Sequence, residues 1–197
     1  MLAPVWSHRH EDQLRLFFDD AESLRTAVAS YEALYFSDWF DNRIAEVRGA
    51  GATLLLLMHK YSIVVVSGMH PIHISSQLAR LGIDLTDLAA TVSSYDTPLC
   101  LQKPNPYMLL KAIRTAKSSV HRTVYIGDGR LDIEMANSAT VKAIAVLTGE
   151  MNRHQATEAN TAFVIPSIVD LPDLLARQAD TAGEYQSNEC AALERLE

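Results

Sequence analysis

Two aspartates four residues apart, at the tip of an apolar run, form the pair in this sequence best placed to do chemistry. In Val124-Tyr-Ile-Gly-Asp128-Gly-Arg-Leu-Asp132 a short buried strand delivers Asp128 after the flexible Gly127, and Asp132 falls on the first turn of the helix that follows. Two carboxylates on one side of such a turn can share a hard cation such as Mg2+ through direct and water-mediated oxygens. The same two residues can instead serve as a helix N-cap and a first-turn partner of the helix dipole. Lys103-Pro-Asn-Pro106 presents an ammonium just before a proline-started helix, so lysine and helix N-terminus turn the same sign of charge toward one place. Its plainer reading is a solvated lysine. Ser67-Gly68, which closes the run Ile63–Val66, offers a hydroxyl and backbone N–H groups able to grip one phosphate oxygen. A simple turn has the same composition.

The elements that must hold these residues can be read from hydrophobic spacing. Ile63–Val66, Ala89–Val92, Val124–Ile126, Ala143–Leu147 and Ala162–Ile165 are short, continuously apolar runs. Helical segments separate them: Thr53–Lys60, Ile72–Leu81 stopping at Gly82, a helix capped by Asn105 and opened by Pro106, one through Ile133 and Ala136, and a last one from Asp170 to about Ala176. Buried strands alternating with helices predict a parallel sheet covered on both faces, with Ser67 and Asp128 at strand C-terminal ends, where open α/β sheets place ligands. The first fifty residues differ. Leu14, Phe17, Phe18, Ala21, Leu24, Val28, Tyr31 and Tyr35 recur at steps of three and four, the spacing of one buried helical face, and no strand precedes Gly51. The expected organisation is a helical segment over 1–50, an α/β core over 51–177 and a polar, mobile tail over 178–197.

The composition limits the functional classes. Hydrophobic residues make up 48% of the 197 and charged residues 21%, an ordinary globular balance. The formal charge of −7 leaves no basic footprint for nucleic acid or an anionic membrane, so an anionic substrate must be held by a few local cations. Cys100 and Cys190 make neither a disulfide framework nor a zinc site, which fits a reducing cytoplasm. The N-terminus has no signal-peptide character. The longest apolar runs fall far short of the roughly 20 residues of a membrane helix.

Taken in chain order, Ser67 after one strand, Lys-Pro-x-Pro at Lys103, and strand-Gly-Asp-x-x-x-Asp at Asp128 and Asp132 resemble the second, third and fourth motifs of the haloacid dehalogenase-like (HAD) hydrolases. The segments Leu16–Tyr35 and Tyr35–Arg48 look like the end of the small helical cap of the phosphoglycolate phosphatase-like branch. The resemblance runs from about residue 11 to about 176. It implies a doubly wound, Rossmann-like core with an N-terminal helical cap and hydrolysis of small phosphate monoesters through an aspartyl-phosphate, or halide displacement in one branch. It also implies roles for single residues. Ser67 and Gly68 would bind the phosphoryl group, Lys103 would stabilise its charge, and Asp128, with Asp132 at least in support, would hold Mg2+.

The first motif of that family, Asp-x-Asp-Gly-Thr after an apolar strand, does not occur in this sequence. The nearest segment, Phe17-Phe18-Asp19-Asp20-Ala21-Glu22-Ser23, has Ala21 in place of the second carboxylate and lies in a helical repeat, so Asp19 is not expected to be a nucleophile. By the resemblance, the missing strand is central, between Ile63–Val66 and Val124–Ile126. Its loss would leave two strand edges unpaired or force those strands together. The expectation is an N-terminally truncated Mg2+-dependent phosphatase of a small phosphorylated metabolite, for instance 2-phosphoglycolate. A binding module that keeps the phosphate and Mg2+ pocket without turnover is the alternative. A response-regulator receiver uses similar groups, but its carboxylates precede the hydroxyl and the lysine. His8, His10, His70 and His73 read as surface histidines, with His70 or His73 close enough to Ser67 to line a substrate pocket. Arg130 reads as facing solvent or pairing with a neighbouring aspartate.

Overall fold

In the computed structural model, which describes residues 9–179, the apolar runs form five short parallel strands. They are β1 (Val64–Ser67), β2 (Ala90–Ser93), β3 (Val124–Gly127), β4 (Lys142–Val146) and β5 (Phe163–Ile165). The helices are α1 (His10–Leu14), α2 (Ala21–Tyr35), α3 (Asp38–Arg43), α4 (Ala50–Met58), α5 (Pro71–Arg80), α6 (Tyr107–Thr115), α7 (Arg130–Ser138) and α8 (Arg153–Glu158). A final helix, α9, covers 171–179, so Gln178 and Ala179 continue a helix where a tail was expected. The remainder of that expected tail lies outside the described residues. Sequence spacing located each strand to within two residues. It missed α8, whose Asn152 and Gln155 form a reciprocal capping box.

The parallel α/β architecture is as expected, but the strands make two sheets rather than one. β1 pairs with β2, and β3–β4–β5 form a separate sheet. The registers run Ser67 opposite Ser93 and Gly127 opposite Ala145. Of the two outcomes expected between Ile63–Val66 and Val124–Ile126, the structure takes the first, because β1 and β3 do not pair. Apolar packing nevertheless spans the division. Val66 and Val92 of the first sheet share a buried cluster with Tyr125 and Ala145 of the second, completed by Met108, Leu109 and Ile133 of α6 and α7.

Local sequence sets the ends of these elements. Helix α5 closes on Gly82, at φ +75°, with Gly82 N–H bonded to the Ala79 carbonyl and Ile83 N–H to Leu78, the double bond of a Schellman motif. Gly49, at φ +83°, opens α4. Helix α6 begins one residue later than expected, with Pro106 at its N-cap, yet the Asn105 side chain still accepts the Tyr107 N–H at 3.0 Å.

The N-terminal helices correct the single-face expectation. The apolar spacing from Leu14 to Tyr35 is broken, because Asp20 accepts the N–H groups of Glu22 and Ser23 and starts a new helix. Of the residues on that stripe only Tyr35 is buried; Leu24, Val28 and Tyr31 are half-covered and Phe17 is exposed. Much of the grip on the core is polar. Asp41 of α3 accepts from His73 Nδ1 and Gln77 Nε2, both at 2.9 Å, and Arg80 Nη1 donates to the carbonyls of Asp41 and Ile44 at the end of α3.

Candidate active site

The loop after β1 carries Ser67 and Gly68, and its shape is fixed from several sides. Ser67 Oγ accepts the Met69 N–H at 3.0 Å, which leaves its own proton able to donate to a ligand. Ser93, opposite Ser67 in the register, donates to the Met69 carbonyl at 2.6 Å. Tyr35 of α2 accepts the His70 N–H at 3.0 Å, so a residue of the N-terminal helices holds this loop as well.

Lys103 is held just as firmly. Gln102 Nε2 braces the preceding turn through the carbonyls of Ser94 and Thr97, both at 3.0 Å, and Asn105 Nδ2 donates to the Cys100 carbonyl. The lysine is only 5% exposed. Its Nζ donates to Asp132 Oδ1 at 2.6 Å and to the Val66 carbonyl at 3.1 Å. Tyr125 Oη donates to the same Asp132 oxygen at 2.8 Å and lies 3.4 Å from the same Val66 carbonyl. A lysine from the loop before α6 and a tyrosine from β3 therefore satisfy a β1 carbonyl that no strand reaches. Burial raises the Tyr125 phenol well above its usual range, and the charge and hydrogen bond of Asp132 push it further the same way. The hydroxyl keeps its proton and acts as a donor.

Asp128 follows Gly127 at the tip of β3, as the sequence predicts. The two expected cation ligands are used differently, however. Asp132 Oδ1 is taken by Lys103 and Tyr125, and its Oδ2 accepts the Gly129 N–H at 3.1 Å. Asp128 packs against the backbone of Gly149, where a Cβ would overlap its carboxylate, and its carbonyl accepts the Met151 N–H. The next residue, Glu150, brings a third carboxylate beside Gly129. Burial raises the pKa of Glu150, and the negative charges of Asp128 and Asp132 add to the rise while Lys103 opposes it. Crowded carboxylate oxygens at a strand tip suit a hard cation, and Mg2+ commonly uses one or two carboxylates with water and phosphate completing its shell. Among the described residues no three His, Cys, Asp or Glu side chains enclose a cation by themselves.

Sequence reasoning had passed over Tyr125 and Glu150. An aromatic inside a strand gives no sign of a buried hydroxyl partner, and Glu150 lies in a loop with no motif of its own. The histidines also differ from expectation. His10 and His73 are buried, at 5% and 3% exposure, and His70 is half-buried. All three join an aromatic cluster with Tyr31, Tyr35, Phe36, Phe40 and Tyr95. His10 lies between Tyr95 Oη (2.6 Å) and Glu32 (3.1 Å). His8 lies outside the described residues. Arg130 pairs with Glu134 at 2.7 Å on the exposed side of α7, not with either aspartate. Asp19 sits exposed in the turn before α2, away from any strand end.

Residues 100–171 match the model of a HAD-hydrolase-like family. A phosphoglycolate phosphatase of Mesorhizobium japonicum is 30% identical over 112 residues, which cover 56% of this chain and 44% of that protein. The match thus spans less than half the length of that curated relative. Among solved structures, a haloacid dehalogenase-like hydrolase from Bacteroides fragilis superposes with a TM-score of 0.71 at 20% identity, over 85% of this chain and 79% of the other. A predicted phosphatase from Clostridium acetobutylicum gives 0.72 at 16%, over 87% and 78%. The fold is that of the haloacid dehalogenase-like hydrolases, and the stretch that matches the family model includes Lys103, Asp128 and Asp132. Within that superfamily, the curated relative is a phosphoglycolate phosphatase.

Proposed function

We propose that this chain carries the phosphate- and cation-binding part of a Mg2+-dependent phosphatase of small phosphate monoesters, of the phosphoglycolate phosphatase type, acting in the cytoplasm. The nucleophilic aspartate comes from a segment outside these 197 residues. The observation that supports this most is the buried cluster in which Lys103 donates to both Asp132 and the carbonyl of Val66, the residue before Ser67, with Asp128 four positions before Asp132 at the tip of β3. Such a cluster sets a fixed positive charge, with a hydroxyl and carboxylates close by, at the ends of the strands.

Each residue then has a defined task. Ser67 donates its hydroxyl proton to a phosphoryl oxygen, and Gly68 adds a backbone N–H. Lys103 keeps donor capacity beyond its two bonds and directs it at the phosphate charge. Asp132 and Tyr125 position that ammonium. Asp128, with Glu150 alongside, holds the cation. When bound, Mg2+ supplies the positive charge that lets a dianion approach these carboxylates.

The test is calorimetric titration of the chain with inorganic phosphate in the presence and absence of Mg2+. Saturable binding that needs Mg2+ and disappears in Asp128→Asn and Lys103→Ala is the expected result; no binding under either condition removes the proposal. Joining an Asp-x-Asp-Gly-Thr strand upstream and assaying phosphate release then separates a phosphatase from a module that binds without turnover.

A further inference from the structure

The imidazole of His70 has a defined tautomer and an unused donor at the edge of the candidate site. Its Nδ1 accepts the Ile72 N–H at 3.2 Å, capping α5, so in the neutral ring the proton sits on Nε2. Nε2 lies on the ring edge turned away from that bond and donates to no described residue. The ring is half-buried, edge-on to Tyr95 at 4.8 Å and to Phe36 at 5.0 Å between centroids. Its backbone is fixed, since His70 N–H is bonded to Tyr35 Oη and the adjoining Met69 carbonyl to Ser93 Oγ. Burial lowers the pKa of His70, the proximity of His73 and His10 adds to this, and Asp96 opposes it, so the neutral donor is the form present at neutral pH.

We propose that His70 is a specificity-determining residue, whose Nε2–H donates to an acceptor oxygen on the alcohol portion of a phosphate monoester held by Ser67, Gly68 and Lys103. This rests on the phosphate-site reading given under Proposed function. His70 lies three positions after Ser67, a span of at most about 10 Å even when fully extended. That confines the alcohol portion to a few carbons, while Tyr95 and Phe36, packed edge-on against the His70 ring, hold the imidazole in place. A chain of that length ending in a carboxylate or hydroxyl fits; an alkyl chain of the same length leaves the donor without an acceptor.

The experiment compares 2-phosphoglycolate with ethyl phosphate, which has the same carbon count and no carboxylate, each titrated calorimetrically into the full chain with Mg2+. The expected result is about tenfold tighter binding of 2-phosphoglycolate, the worth of one hydrogen bond to a charged acceptor. In His70→Asn the Asn oxygen still caps α5 while the Nε2–H is gone, and the two affinities converge. If His70→Asn does not fold, His70→Gln, whose amide reaches the Nε2 position, is expected to keep part of the preference; equal affinities in that variant overturn the assignment. Ethyl phosphate binding with no preference in the natural sequence, or a preference that survives His70→Asn, overturns the role of His70 alone. Failure of both esters to bind overturns the phosphate site and this inference together.

Discussion

Lys103 Nζ and Asp132 Oδ1 lie 2.6 Å apart, both nearly buried, and each is the other's counter-ion. The pair is anchored on the loop before α6 and the first turn of α7, yet its ammonium also reaches the Val66 carbonyl across the division between the sheets. A charge pair that would be of minor value on the surface thus holds two halves of a core together. Removing one member leaves the other uncompensated in a poorly solvated place.

Asp132→Ala is therefore expected to cost about 3–5 kcal/mol of unfolding free energy, the range for breaking a buried pair from one side. Urea denaturation followed by circular dichroism measures it. A loss below about 1 kcal/mol, the value of an exposed pair, would show that Lys103 finds solvent when its partner leaves.

Tyr125→Phe removes one donor to Asp132 and keeps the ring. We expect a loss of about 1–3 kcal/mol, since the carboxylate oxygen loses one of its two partners on that side. Because the ring remains, the urea midpoint should shift without a change in slope. A neutral substitution would mean that the hydroxyl contributes nothing to the joint.

His70 links pH to stability with a definite sign. Its folded-state pKa is depressed below the unfolded value of about 6.5, so the unfolded chain takes up the proton first. The contribution of this residue is complete above that value and is lost as the pH falls through the folded pKa. The difference in unfolding free energy between the natural sequence and His70→Asn should thus shrink between pH 7.5 and 5. A difference that grows on acidification contradicts the assignment.

Gly149→Ala tests the cation-binding side. A methyl there overlaps the Asp128 carboxylate from its Cβ outward, so the aspartate must rotate away from its place at the tip of β3. Mg2+ affinity, read by titration calorimetry, should fall about 10–100-fold, as for residues that orient a metal ligand. An unchanged affinity would mean that Asp128 binds in another rotamer or not at all.

The sequence conveyed the placement of single residues more fully than the assembly of the sheets. Ser67, Lys103 and Asp128 were legible because each follows an apolar run or opens a helix, and those signals are local. The split between the sheets was partly legible: a missing central strand could be named, but whether β1 and β3 would then pair depends on how α6 and α7 pack, which no local pattern states. Tyr125 reads as one more strand aromatic, since its partners come from Asp132 and Val66, the latter fifty-nine positions away. The same holds for His10, whose partner Tyr95 is eighty-five positions distant. The continuous stripe from Leu14 to Tyr35 misled because Asp20, a single capping residue, resets the helix where the apolar spacing runs on.

The side-chain seam at Val66 also has a thermodynamic consequence. Backbone ladders bind each sheet internally, while Lys103, Asp132 and Tyr125 add polar links to Val66 beside the shared apolar cluster, so cohesion between the halves is coupled to the charge state of this group. A ligand that draws Lys103 away from Val66 loosens the joint, and one that adds to the cluster stiffens it. Occupancy of the site is thereby written into the mechanical unity of the molecule, and amide exchange along β1 would register it as directly as any titration.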